Sequence, residues 1–186
     1  MRENKLSVWT FSYNKRYYLT HPWKWFKDLY WNIRNWIHRA NKGFAYIDCW
    51  NFCTYYPRVA AEALRYLALH NNAYPGIKPW ETMEKWREYL NYLANRLERC
   101  ADSQDMCFGE DRNEYKDALD EIMERTRDWR HDENGNLILS HKEFTPEEEE
   151  IRKKYWAREE EIRKADQEYN KETYKWLAED LGHFWD

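Results

Sequence analysis

The chain of 186 residues contains only five glycines and five prolines. That is too few turn-formers for an all-β protein with many tight turns, and it argues against a glycine-rich nucleotide-binding α/β enzyme. No Walker loop, dinucleotide-binding glycine fingerprint or nucleophile elbow occurs. Serine is scarce, which leaves a serine nucleophile without support; the expectation is a protein with no catalytic residues and no cofactor. No apolar run approaches the roughly 18 residues of a membrane span. The opening, MRENKLSVWTFSYNK, lacks the apolar stretch of an export signal. An intracellular protein with no membrane partner is therefore expected, its four cysteines (Cys49, Cys53, Cys100 and Cys107) reduced.

What the sequence does have is aromatic surface and charge. Twelve Trp, 15 Tyr and 7 Phe supply apolar area enough to argue against disorder. The formal charge of -4 hides a split: residues 1–99 hold 16 Lys+Arg against 8 Asp+Glu, whereas residues 100–186 hold 14 against 26. Eight Trp and 11 Tyr also lie in the first part. Such asymmetry points to an electrostatic partner, or to the two parts neutralising one another.

Periodicity predicts an all-α fold, a bundle of four to five helices around an aromatic-rich core. The first 20 residues read as an extended arm. Thr20-His21-Pro22 opens a helix with proline at an early position. Phe26, Leu29, Tyr30, Ile33, Trp36, Ile37 and Ala40 then form one apolar stripe, and Gly43 offers a left-handed stop. A second helical stretch over about 48–69 is interrupted at Pro57. NNAYPGIKP (71–79) is a loop, a third helix covers roughly 81–101, and a fourth runs from about 112 to 130. A small β-hairpin is expected near 132–140. Thr145-Pro146-Glu147-Glu148 then carries the marks of a helix start, with a capping box. That last helix runs nearly to Trp185; some 40 residues would measure about 60 Å, against about 40 Å across a compact domain of this length. Its C-terminal end is expected to dock and its charged middle to face solvent. The division that follows is a basic aromatic domain over 1–130 and a hairpin plus acidic helix over 131–186, packing on the first or projecting from it.

The stretch YYLTHPWKWFKDLYWNIRNWIHRANKGFAYIDCWNF, then EALRYLALHNNAYPG and ETMEKWREYLNYLANRLE, with the ending LAEDLGHFWD, resembles a group of small tailed-bacteriophage proteins of unknown function. These share a basic aromatic helix, an Asp-x-Trp-like motif, an Ala-Leu-Arg helix and a Tyr-Pro-Gly loop. The resemblance covers about half the chain. It implies a phage-encoded protein working in a bacterial host cytoplasm, and it assigns no catalytic residue.

Two stretches carry residue types that ligate metals. Asp132, Asn134, Asn136 and Glu143 fall at the first, third, fifth and twelfth positions of a calcium loop, with Ser140 at the ninth. Leu137 stands where that loop needs glycine, and Pro146 interrupts the exiting helix. A turn, a short hairpin and a fresh helix cap account for the same residues. The four cysteines lack Cys-x-x-Cys knuckles, so buried free thiols are expected rather than zinc, and no metal is assigned.

The remaining constellation is cationic. Lys24, Lys27, Trp31, Arg34 and His38 recur three and four apart on the first long helix, opposite its apolar stripe. Arg39, Lys42, Arg58, Arg65 and Tyr66 add charge and a ring. Cations hold phosphate oxygens and flat rings stack on bases, so this set suits a nucleotide; an ordinary solvated helix face is the alternative. The functional expectation is a non-enzymatic phage accessory protein acting by binding in counter-defence, either sequestering a nucleotide immune signal or obstructing a host immune protein. Its rivals are an acidic nucleic-acid mimic that inhibits a host protein, and a nucleic-acid-binding accessory factor. The oligomeric state is open, with a dimer through the thin seam of the last helix as one option.

Overall fold

The computed structural model describes residues 15–104, 112–131, 137–141 and 143–184. Among them the chain is all-α apart from one hairpin. Two compact units emerge, Met1–Gly109 with Thr173–Asp186, and Glu110–Glu172. Their limits do not coincide with a division at residue 130. Among the described residues no helix is long and apolar enough to cross a membrane.

The first unit opens with two helices, α1 (Lys15–Thr20) and α2 (Pro22–Lys42). Residues 15–20, expected to be extended, are thus helical. The amide of His21 still bonds to the Tyr17 carbonyl at 3.0 Å. A residue before proline is pushed out of the helical region, and His21 sits at φ -133, ψ 66. Pro22 therefore separates α1 from α2 and then begins α2, where its missing N–H costs nothing. Gly43 ends α2 at φ 77, its N–H donating to the Arg39 carbonyl at 2.8 Å.

The second helical stretch is broken, but not at Pro57. It consists of α3 (Tyr46–Trp50) and α4 (Phe52–His70), divided at Asn51. The Asn51 carbonyl accepts from the amides of Thr54 and Tyr55 at 3.0 and 2.9 Å, so the new helix is anchored before it reaches proline. Pro57 lies inside α4, fully buried, and the helix continues through it.

α5 (Met83–Asp102) begins at Thr82, whose hydroxyl accepts from the Lys85 amide at 3.3 Å. It packs along α4 through Trp86, Leu90, Leu93, Ala94 and Leu97 against Ala61, Leu64 and Ala68. Small residues on α4 bring the two backbones close, and the leucines fill the space between them. The aromatic part of this core is a cluster of Trp80, Trp86, Tyr89 and Phe184, with ring centroids 5.0–6.0 Å apart. The C-terminal end docks here as expected: Leu177 and Phe184 are core residues. Arg96 donates to the Thr173 hydroxyl at 2.9 Å and lies 4.4 Å over the Trp176 ring.

The second unit holds α6 (Lys116–Thr126), β1 (Arg127–His131), β2 (Leu137–His141) and the greater part of α7 (Pro146–Asp180). The fourth helix was expected to reach residue 130. It stops at Thr126 because the next five residues pair antiparallel with β2, Trp129 opposite Leu139. Strand pairing outweighs local helical propensity there. The capping box of α7 is present: Thr145 accepts from the Glu148 amide at 3.3 Å, and the Glu148 carboxylate accepts from the Thr145 amide at 2.7 Å. Asn113, buried, fastens the segment before α6 to α7 by donating to the Tyr155 carbonyl and the Glu159 carboxylate at 3.1 and 2.8 Å.

Candidate functional site

α2 shows an inverted burial pattern. Its one buried residue is polar, Asn32 at 0% exposure, while Trp23 is 84%, Tyr30 61%, Trp36 59% and Phe26 57% exposed. The apolar stripe at Phe26, Tyr30, Ile33, Trp36 and Ile37 therefore faces outward instead of supplying a core. The reason lies at the C-terminal end of the helix, where polar groups fix its roll. Arg39 forks onto Asp48 of α3 through Nε and a terminal nitrogen, and lies 5.0 Å over the Tyr55 ring. Asp48 is buried and also accepts from the Ala45 amide at 2.6 Å. The His38 Nδ1 is 2.8 Å from the Phe44 carbonyl oxygen, and the Tyr55 hydroxyl donates to the Gly43 carbonyl at 2.6 Å. A bidentate, largely desolvated ion pair demands its geometry, whereas an aromatic stripe does not dictate where it points.

The ten candidate ligand residues divide into two groups. Arg39, Arg58 and Arg65 are engaged within the protein. Arg58 is buried and donates to Asp102 at 2.9 Å. Arg65 donates to Glu62, Asn95 and Glu98 at 3.1, 2.9 and 2.7 Å, clamping α4 to α5. Lys24 is paired with Asp28 one turn on, which raises the lysine pKa chiefly through the hydrogen bond and lowers that of the carboxylate likewise. Tyr66 is exposed on α4, its ring 4.2 Å from that of His70. Arg39, Arg58 and Arg65, expected to take phosphate, are each paired with carboxylates of α3, α4 or α5.

The others stay together on the outer flank of α2. Lys27, Arg34 and Lys42 are exposed and make no ion pair with a described residue. The Arg34 guanidinium lies 5.1 Å over the Trp31 ring. A groove of about 400 Å³ is lined by Tyr30, Ile33, Arg34, Ile37, His38, Asn41 and Lys42. Its size falls within the usual range for a small-molecule site, and it joins cationic groups to apolar and aromatic walls.

No family model, curated protein or solved structure matches the chain.

Among the described residues no group of three His, Cys, Asp or Glu side chains could hold a metal ion. Asp132, Asn134 and Asn136 of the calcium spacing lie outside the described residues, as does Cys107; Glu143 is exposed. Cys100 is buried as expected, but Cys49 and Cys53 are exposed thiols. On α7 most carboxylates have cationic neighbours: Glu149 with Arg152, Glu150 with Lys154, Glu160 with Arg163 and Lys164, Glu161 with Arg158. Asp166 pairs with Arg112 and Glu148 with Arg125. Its surface is therefore a lattice of alternating charge along the helix rather than a run of anions.

Sequence reasoning missed Arg96 and Asp180. The Tyr89 hydroxyl donates to the Asp180 carboxylate, and burial followed by that bond pushes its pKa well up. Both are structural contacts between α5 and the end of α7, separated by 91 and 77 positions in sequence, beyond the reach of periodicity.

Proposed function

We propose that this is a non-enzymatic binding protein whose working surface is the outer flank of α2. It takes the phosphate of a nucleotide signal in the groove at Arg34, His38 and Lys42, with Trp31 as the adjoining ring. The charge split and the resemblance to small tailed-phage proteins motivate reading this activity as counter-defence in a bacterial host cytoplasm. One observation carries the reading: three arginines are paired within the protein, while Lys27, Arg34 and Lys42 make no ion pair with a described carboxylate and lie beside exposed rings. Exposed cations grouped on one helix flank create a local positive potential that attracts an anion. The acidic-mimic reading has no comparable support, because the cations interleaved along α7 dilute its field.

Calorimetric titration with cyclic di- and oligonucleotides and ADP-ribose derivatives tests this. Binding is expected for at least one, with affinity falling about tenfold on Arg34→Ala, as for loss of one charge-assisted contact. Affinity is expected to be unchanged on Arg65→Ala, which costs stability instead. Absence of heat with all of them overturns the nucleotide reading.

A further inference from the structure

The outward stripe of α2 has an internal order that the basic flank alone does not explain. At about 100° per residue, Ile33, Phe26 and Ile37 occupy the centre of an exposed apolar arc about 160° wide. Trp23 and Tyr30 border it on one side, Trp25 and Trp36 on the other, and all four are exposed. Beyond Tyr30 come Arg34 and Lys27, exposed and without an ion pair to a described residue. Aliphatic and phenyl groups in the middle, indoles at both margins and cations outside one of them, the margin turned away from buried Asn32, is the sequence of chemistry met on entering a bilayer from water. Hydrocarbon suits the centre, the headgroup zone suits amphipathic rings, and lipid phosphate suits Lys and Arg. We propose that α2 is an interfacial helix that lies flat on an anionic lipid surface, burying this arc at the level of the headgroups.

Charge decides between this occupant and a second copy of the chain. α2 carries Lys24, Lys27, Arg34, Arg39 and Lys42 against the single acid Asp28. With Lys24 held by Asp28 and Arg39 by Asp48, Arg34 and Lys27 remain beside the arc, whereas Lys42 falls half a turn of the helix from its centre. Two copies meeting through this face would set those charges against their like, whereas anionic lipid neutralises them. The helix does not span: it is 21 residues long but carries six charges, so it lies in the plane over about 32 Å. This departs from the expectation of no membrane partner, which rested on the absence of a spanning run. The inference goes beyond the nucleotide reading and does not rest on it, although Arg34 would meet a phosphate in both.

Co-sedimentation of the full chain with vesicles tests the proposal, using phosphatidylcholine alone and phosphatidylcholine with about 30% phosphatidylglycerol. Binding to the anionic vesicles is expected to be at least about tenfold tighter than to the neutral ones, each cation near the surface adding to it. It should weaken at high salt. Phe26→Glu with Trp36→Glu is expected to abolish it; both side chains are exposed and neither lines the groove at Arg34, and an unchanged thermal midpoint shows that the fold is retained. Free nucleotides and inorganic phosphate form a separate arm. Heat from nucleotide that survives the double substitution, with vesicle binding lost, supports the lipid proposal and leaves the nucleotide reading standing. Failure of the unmodified chain to sediment with anionic vesicles overturns the lipid proposal whatever the nucleotide result. So does a dimer in solution that the same double substitution dissociates, since the face would then be covered by a second copy.

Discussion

Arg34 and Arg39 stand five positions apart on α2 and do different work. Arg39 is fixed by Asp48, a buried carboxylate that also satisfies the Ala45 amide. Arg34 lies over an indole and makes no ion pair with a described residue. Removing the buried partner strands a guanidinium and an amide together, so Asp48→Ala is expected to cost about 3 kcal/mol in urea denaturation. Arg34→Ala, on an exposed face, is expected to change stability by less than about 0.5 kcal/mol. A comparable loss from both would show that Arg34 is structural and unavailable to a ligand. Arg65 resembles Arg39: its three acceptors on α4 and α5 hold those helices together.

At the scale of elements, local chemistry decides where helices begin and end, and long-range pairing decides the exceptions. Gly43 occupies the left-handed region at φ 77 with open space where a Cβ would sit. Gly43→Ala is therefore expected to cost about 1 kcal/mol, from backbone strain alone. Thr145→Ala removes the acceptor of the capping box at the head of α7, and about 1 kcal/mol with it. The Glu148 carboxyl is held below its usual range, first by the Thr145 amide and then by Arg125. Such a group stabilises the fold above its unfolded pKa, and the contribution is lost as pH falls through the folded value. Weakening of α7 in acid should thus be milder in Glu148→Gln, measured by circular dichroism from pH ~5 downward. Pro22, Gly43, the 71–79 loop and the Thr145 cap were all legible in the sequence because each acts through its nearest neighbours. Two boundaries were not. The break fell at Asn51 instead of Pro57, and the fourth helix gave way to β1 because residues ten and more positions on captured it. The roll of α2 was equally hidden: it depends on Asp48, nine positions beyond Arg39, while its apolar stripe read as ordinary core.

On the scale of the whole molecule, the two units differ in how charge is used. The second unit interleaves its carboxylates with Arg and Lys along and across α7. The first consolidates an α4–α5 core sealed by the end of α7 and leaves α2 turned outward. The seal has its own pH signature. Burial raises the phenol of Tyr174 to about 12 and that of Tyr89 further, the latter helped by Asp180. An unfolded chain releases these protons near pH 10. Between pH ~10 and ~12 the folded form then binds more protons than the unfolded one, and stability falls as pH rises. The urea midpoint is expected to drop across that window, and less so in Tyr174→Phe; an equal drop in both would dissociate Tyr174 from the effect.

The outward face of α2 underlies both the anion-binding reading and the lipid reading, and hydroxyl-radical footprinting of the free protein measures it directly. Trp23 and Trp36 are predicted to oxidise many times faster than Trp80 and Trp86, which the α4–α5 core and the docked C-terminal end enclose. Protection of Trp23 and Trp36 equal to that of Trp86 would contradict the account, because the face would then already be occupied within the protein.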